Sequence, residues 1–260
     1  MHDRKFKFED GEAYEQMMGV WSQLVGFKFL QWLSPSIEQR WIDVGCGNGA
    51  FTEQIIKNCK PSEVQGIDPS DAQIDFAKNR SGVQAATFQI GDAMALPFEL
   101  GQFDVATMAL VIRFVPDPAQ GVAEMKRVVR SGGAVAAYAW DSLGGGMPHE
   151  PIQAELRSMN IKYPRPPSAE ASRLDILQKL WVDAGLRSVE TRIITVERTF
   201  SSFENFWSLS SLSRTLQPVL EDLDPATLDQ LKSSTQASLT ADENGEITCA
   251  AHVNAIKGLV

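Results

Sequence analysis

Apolar and polar positions follow two different periods along the chain, and the order of these periods predicts alternating strands and helices. Three short apolar runs are typical of strands: Trp41–Val44, Glu63–Ile67 and Ala86–Ile90. Two longer runs, Phe103–Leu110 and Ala134–Trp140, are typical of strands buried on both faces. Helical segments separate them, and such crossovers are right-handed, so the pattern predicts a parallel, doubly wound α/β sheet.

Helix-boundary signals lie between these strands. Ser70 and Gln73 have the spacing of a capping box after the second strand. Asp117-Pro118 provides an N-cap followed by a first-turn proline, and it opens a helix whose apolar stripe includes Val129. Gly132-Gly133 is expected to end that helix before the fifth strand.

The two ends of the chain differ from this core. Gly11–Leu33 has the spacing of an amphipathic helix, and Val189–Phe200 and Glu246–Val253 are strand-like segments expected to complete the sheet. Helical segments separate the fifth strand from these two. We predict one domain over residues 1–260, with an N-terminal helical cap at 10–36, a core at 40–141, and a helical insertion with the last two strands at 142–260.

Composition narrows the functional classes. The net charge is −9, which disfavours a nucleic-acid partner, and no apolar run is long enough for a membrane span or a signal peptide. A cytoplasmic protein is therefore expected. Cys46, Cys59 and Cys249 lack any zinc-ligand spacing, so we expect buried thiols and no metal site.

A glycine-rich turn, Gly45–Gly49, follows the first strand and precedes a helix. Such a turn lets the backbone approach a ligand and presents free N–H groups. Gly45, Gly47 and Ala50 also fit the dinucleotide pattern G-x-G-x-x-G/A, with Asp68 as the acid that binds ribose. The turn alone therefore leaves an NAD(P)-dependent reductase open.

Further motifs accompany the turn. Asp43 lies inside the first strand, Gly66–Ser70 ends the second strand, Gly91-Asp92-Ala93 follows the third, and an apolar run begins at Phe103. In order and spacing these motifs resemble those of class I S-adenosylmethionine-dependent methyltransferases, in particular the small-molecule branch of the ubiquinone/menaquinone-biosynthesis type. The resemblance covers Trp41 to Tyr138.

This resemblance implies a Rossmann-like, seven-stranded, mostly parallel sheet with an antiparallel last strand. It implies that the chain is a transferase that moves a methyl group from S-adenosyl-L-methionine to a small-molecule acceptor and forms S-adenosyl-L-homocysteine. A non-catalytic domain that binds the cofactor or a partner is the main alternative. The NAD(P)-dependent reductase ranks lower, because it would give the Asp92 motif no role.

The resemblance also implies a set of cofactor contacts. Asp68 would accept hydrogen bonds from the ribose hydroxyls and Asp92 from the adenine amino group, while an N-terminal helix would close over the cofactor. The complete set is Tyr14, Trp21, Asp43, Gly45, Gly47, Asp68, Pro69, Gln73, Asp92, Ala93 and Ala109.

The acceptor side is less defined. In-line attack on a sulfonium methyl needs alignment and exclusion of water, and it requires no covalent intermediate on the enzyme. If a general base assists, His149 and Asp141 are candidates near the expected mouth, and Arg113 could orient an anion. The alternatives are an exposed loop residue for His149, a turn cap for Asp141 and a structural ion pair for Arg113.

Overall fold

The computed structural model describes residues 18–260. Tyr14 and the first part of the predicted N-terminal helix lie outside the described residues. The described part of that helix, α1, covers Val20–Leu33 and ends at Ser34, whose φ of 49° is left-handed.

A seven-stranded sheet organises the described chain. Its strands are β1 (Arg40–Val44), β2 (Glu63–Asp68), β3 (Ala86–Ile90), β4 (Phe103–Ala109), β5 (Val129–Trp140), β6 (Arg187–Phe200) and β7 (Ile247–Leu259). The order is β3-β2-β1-β4-β5-β7-β6. Strands β1 to β5 pair in parallel, and β7 runs antiparallel to both β5 and β6. The predicted doubly wound, mostly parallel sheet with an antiparallel last strand is confirmed.

The helices that follow α1 connect and cover these strands. They are α2 (Ala50–Cys59), α3 (Asp71–Asn79), α4 (Pro118–Val128), α5 (Glu150–Ser158), α6 (Leu174–Asp183), α7 (Phe203–Ser211), α8 (Gln217–Asp222) and α9 (Pro225–Ser238). The sheet has a hydrophobic core on each face. Trp41 belongs to one core and its neighbour Ile42 to the other, because successive side chains of a strand point to opposite faces.

The last strand extends six residues beyond its predicted end at Val253, to Leu259. The predicted boundary between the helix after β4 and the fifth strand is wrong. Helix α4 ends at Val128, and Val129 is the first residue of β5, where it pairs with Phe103. The register between β4 and β5 then shifts, and Gly132 adopts a φ of 76°. A Cβ atom on Gly133 would lie 2.6 Å from the Asp104 carbonyl oxygen. The two glycines therefore serve an irregularity inside the strand and do not end the helix.

The capping box after β2 is replaced by a different arrangement. The Ser70 hydroxyl accepts a hydrogen bond from the Gln73 N–H at 3.4 Å, as predicted. The Ser70 N–H, which the box would assign to the Gln73 side chain, donates instead to Asp68 Oδ1 at 2.9 Å. The start of α3 is thereby tied to the last residue of β2.

A buried carboxyl group joins β1 to α2. Asp43 is 0% exposed, and its Oδ2 accepts a hydrogen bond of 2.7 Å from the Thr52 hydroxyl. Asp43 Oδ1 is buried and has no hydrogen-bond partner among residues 18–260. Burial raises the pKa of Asp43 to about 7; the Thr52 hydrogen bond opposes this rise and the charge of Asp68 adds to it. The link fixes the two ends of the Gly45–Gly49 turn.

We expect Asp43→Asn to change how stability depends on pH. The pKa of Asp43 is raised in the folded protein from 3.8 to about 7, so the folded state binds this proton more tightly. The contribution of Asp43 to the free energy of unfolding therefore falls as pH rises from about 4 to about 7. Relative to the wild type, the Asp43→Asn variant should gain about 1–3 kcal/mol between pH 5 and pH 8.

Urea unfolding of both proteins at the two pH values measures this difference. Asp75→Asn, at an exposed position on α3, is the matched control and should follow the wild type. An Asp43→Asn variant whose stability changes with pH as the wild type's does would contradict the assignment.

Candidate active site

The glycine turn lies at the carboxyl end of β1, beside β4. Gly45, Gly47 and Gly49 have φ values of 74°, 52° and 79°, in the left-handed region that favours glycine. In the strand order, β1 and β4 are where the connections change direction, and ligands of open α/β sheets bind at that point. The turn is therefore in the usual position for a ligand site.

The first two glycines of the turn have different surroundings. A Cβ atom on Gly45 would lie 2.6 Å from both methyl carbons of Val111, so a side chain has no space there. A Cβ atom on Gly47 would meet only Gln73 Oε1, at 3.7 Å. Gly45 is required by packing, whereas Gly47 faces open space in which a ligand can approach the backbone.

Asp68, the last residue of β2, is bonded directly to the turn. Its Oδ2 accepts a hydrogen bond from the Gly47 N–H at 3.0 Å, while its Oδ1 holds the start of α3. The Ile67 carbonyl accepts from the Gly45 and Cys46 N–H groups at 2.7 and 3.0 Å. Burial raises the pKa of Asp68, and the N–H groups of Ser70 and Gly47 oppose that rise.

Asp92 lies on the same edge of the sheet, just beyond β3. Asp68 pairs with Ile90 in the register of β2 and β3, two residues before Asp92. The Asp92 side chain is exposed, and its Oδ1 accepts from the Met94 N–H at 2.8 Å. The turn, Asp68 and Asp92 therefore lie in a row over β1, β2 and β3.

The remaining proposed cofactor contacts have varied positions. Gln73 is buried next to Gly47, Pro69 is exposed, and Ala109 lies at the end of β4. Ala93 is half-buried and packs against one of the cores. Trp21 is 2% exposed, with its ring centroid 6.4 Å from that of Phe200, so it packs in the core near β6.

His149 is buried, contrary to the expectation of an exposed loop residue. The glycine-rich segment before it folds back onto β7: the Gly146 carbonyl accepts from the His252 N–H, and the Gly146 N–H donates to the Asp141 carbonyl. His149 is 2% exposed, and neither ring nitrogen has a hydrogen-bond partner in residues 18–260. Burial, with a smaller effect of the Arg113 charge, lowers the pKa of His149 to about 3.

Arg113 and Asp141 lie beyond β4 and β5. Arg113 Nη1 is 3.4 Å from Met147 Sδ, and its guanidinium lies 4.9 Å from the Phe114 ring centroid. Asp141 Oδ1 accepts from the Gly144 N–H at 2.8 Å, and Oδ2 is 3.5 Å from His252 Nε2. Asp141 therefore caps the turn after β5, whereas Arg113 reaches towards the loop that contains His149.

The sequence interpretation missed two polar residues. Thr52 lies three and seven residues before the buried Ile55 and Cys59, so helical spacing could have placed it on the inner face of α2. Gln153 is 3% exposed on α5, and its Oε1 is without a hydrogen-bond partner in the described chain. Nothing local in the sequence distinguishes Gln153 from a surface glutamine.

Two kinds of feature are absent from the part of the chain that the structure describes. Residues 18–260 contain no group of three or more His, Cys, Asp or Glu side chains arranged to hold a metal ion. No helix in the same residues combines the length and the apolar character needed to cross a bilayer.

Comparison with known proteins agrees with this geometry. Residues 42–137 match the family described as "Methyltransferase domain". Demethylmenaquinone methyltransferase of Staphylococcus aureus is 33% identical over 127 residues, which cover 48% of this chain and 51% of the relative. The chloroplastic 2-methyl-6-phytyl-1,4-hydroquinone methyltransferase 2 of Oryza sativa is 38% identical over 94 residues, 36% of this chain and 27% of the relative. The chain thus spans about half or less of these curated relatives.

A solved structure extends the likeness of the fold beyond that segment. Phosphoethanolamine N-methyltransferase 2 of Haemonchus contortus, in complex with S-adenosyl-L-methionine, superposes with a TM-score of 0.58 at 17% identity. The alignment covers 100% of this chain and 61% of that one. Residues 42–137 therefore resemble a methyltransferase domain, and the fold of the chain resembles that of a solved methyltransferase.

Proposed function

We propose that this chain transfers a methyl group from S-adenosyl-L-methionine to a small-molecule acceptor. The observation that carries the proposal is the hydrogen bond from the Gly47 N–H to Asp68. It joins an open glycine backbone to a carboxylate at the point of the sheet where ligands bind. A carboxylate there can accept from two vicinal hydroxyls, as a ribose requires.

The residues of the site fit the cofactor. Gly47 leaves open space beside the turn, and the exposed Asp92 offers a second acceptor further along the same edge. Asp68 would hold the ribose and Asp92 the adenine amino group, while Asp43 and Thr52 keep the turn in shape. The bound cofactor would supply an electrophilic sulfonium methyl group.

The chain's own part in the reaction would be alignment of the acceptor and exclusion of water. Tyr14 remains a proposed contact from an N-terminal helix that closes over the cofactor, whereas Trp21 packs in the core. Because the net charge is −9, we propose that the chain has no nucleic-acid partner. We also propose a cytoplasmic location.

Calorimetry with S-adenosylhomocysteine and with NADPH tests the cofactor. We expect S-adenosylhomocysteine to bind and NADPH not to bind. Binding of NADPH without binding of S-adenosylhomocysteine would refute the proposal. A methylation screen over hydroquinones, phenols, amines and carboxylic acids then tests the reaction. Cofactor binding without transfer to any member would favour the non-catalytic alternative.

Removing either acid should weaken cofactor binding. We expect Asp68→Ala and Asp92→Ala each to reduce the affinity for S-adenosylhomocysteine by about 10-fold to 150-fold, the effect of losing a hydrogen bond to a charged group. Calorimetry measures the change, and Asp75→Ala, which removes an exposed carboxylate on α3, is the control. Unchanged affinity in both variants would refute the assigned positions.

A side chain on Gly47 should block the ligand without unfolding the protein. Gly47→Ala places a methyl group in open space and strains a left-handed residue by about 1–2 kcal/mol. Gly245→Ala is the matched control, because Gly245 has a φ of 82° and nothing within 4 Å of its added Cβ. Both variants should lose similar thermal stability, and only the Gly47→Ala variant should lose affinity for S-adenosylhomocysteine. Equal affinities would show that the space beside Gly47 is not part of the cofactor site.

A further inference from the structure

A small cavity lies beyond the carboxyl ends of β4 and β5, on the same edge of the sheet as the glycine turn. Its wall comes from segments distant in sequence: Arg113 after β4, Met147 after β5, Gln153 on α5, Arg165 in the loop after α5, and Thr215. The cavity measures about 20 Å³. It therefore has space for one small group of a ligand, about the size of a water molecule.

The cavity wall is positively charged. Arg113 and Arg165 line it, and no aspartate or glutamate from residues 18–260 does. The Arg113 charge adds to the effect of burial in lowering the pKa of His149. The Arg113 charge thus also acts on the buried His149 ring. In a chain with a net charge of −9, such a wall is a local exception.

Buried polar groups at this place still lack partners. Gln153 lines the cavity, is 3% exposed, and its Oε1 finds no hydrogen-bond donor in the described chain. The buried His149 ring near Arg113 is in the same condition at both nitrogens within residues 18–260. Leaving a buried polar atom unsatisfied costs about 1–3 kcal/mol, so Gln153 Oε1, which lines the cavity, indicates a polar ligand group there.

We propose that the methyl acceptor is an anion and that this cavity receives one oxygen of its carboxylate or phosphate group. Arg113 and Arg165 donate charge-assisted hydrogen bonds to the anionic oxygens. Gln153 Oε1 accepts from a hydroxyl or amine of the same molecule. This inference rests on the proposed methyl transfer, since it assigns the acceptor that the transfer requires.

Titration of acetate, benzoate and inorganic phosphate into the protein tests the cavity directly. The protein is first saturated with S-adenosylhomocysteine. The ring resonances of His149 are then followed by NMR, and the His149→Gln variant, which lacks them, identifies these resonances. We expect at least one anion to bind and move these resonances, and we expect Arg113→Gln and Arg165→Gln each to weaken its affinity by about tenfold or more. Arg192→Gln, which removes an exposed arginine on β6, is the charge-matched control.

The outcomes separate the two proposals. A wild-type protein that does not bind S-adenosylhomocysteine in calorimetry overturns the proposed function. A protein that binds it but binds none of the three anions overturns only the anionic acceptor. Anion binding that Arg113→Gln and Arg165→Gln leave unchanged also overturns it. In the methylation screen, we expect the methyl ester of each carboxylic acid that reacts to have a kcat/KM about tenfold or more below that of the acid itself.

Discussion

The arrangement of the site depends on the carboxylate of Asp68. One of its oxygens fixes the N–H of Gly47, a left-handed residue, and the other fixes the first turn of the next helix. The glycine turn, the end of β2 and the start of α3 are consequently one rigid unit. Preorganisation of this kind lowers the entropy that a ligand would otherwise lose when it orders the loop.

A second carboxyl group, Asp43, lies close enough for its charge to interact with that of Asp68. The surroundings of the two carboxyl groups affect their pKa values differently. Asp43 is wholly buried and receives one hydroxyl hydrogen bond, whereas Asp68 is half-buried and receives two backbone N–H groups. Hydrogen bonds to the charged form favour ionisation, and burial opposes it. Burial raises the pKa of both groups, to about 7 for Asp43, and the N–H groups of Ser70 and Gly47 oppose the rise at Asp68.

The parallel half of the sheet could be predicted from sequence because its signals are local. Strands β1, β2, β4 and β5 contribute side chains to both cores, so they carry apolar residues on both faces, and glycines mark the turn after β1. The boundary at Val129 could not be predicted in the same way. Gly132-Gly133 has the appearance of a helix stop, and only the pairing of β5 with β4 shows that these glycines belong to a shift in register.

The acceptor side had no comparable signal. The cavity beyond β4 and β5 is formed by side chains from segments more than 100 residues apart, such as Arg113 and Thr215, and these come together only after the insertion has packed on the sheet. The burial of His149 likewise could not be predicted from its neighbours in sequence. Its glycine-rich neighbours indicate an exposed loop, but pairing of Gly146 with β7 buries the residue. From the sequence, a set of cofactor contacts could be proposed, whereas the acceptor side offered only single candidate residues.

Net charge was a useful guide to the whole surface and a poor guide to the cavity. At physiological ionic strength, exposed charges are screened over about 8 Å, so acidic residues farther than that from the cavity contribute little to its potential. Charges in the cavity wall act through a medium that is less polarisable than water. A net charge of −9, which disfavours extended polyanions, is thus compatible with a cavity lined by Arg113 and Arg165. The same difference in distance and dielectric explains why composition could disfavour a nucleic acid without indicating an anionic acceptor.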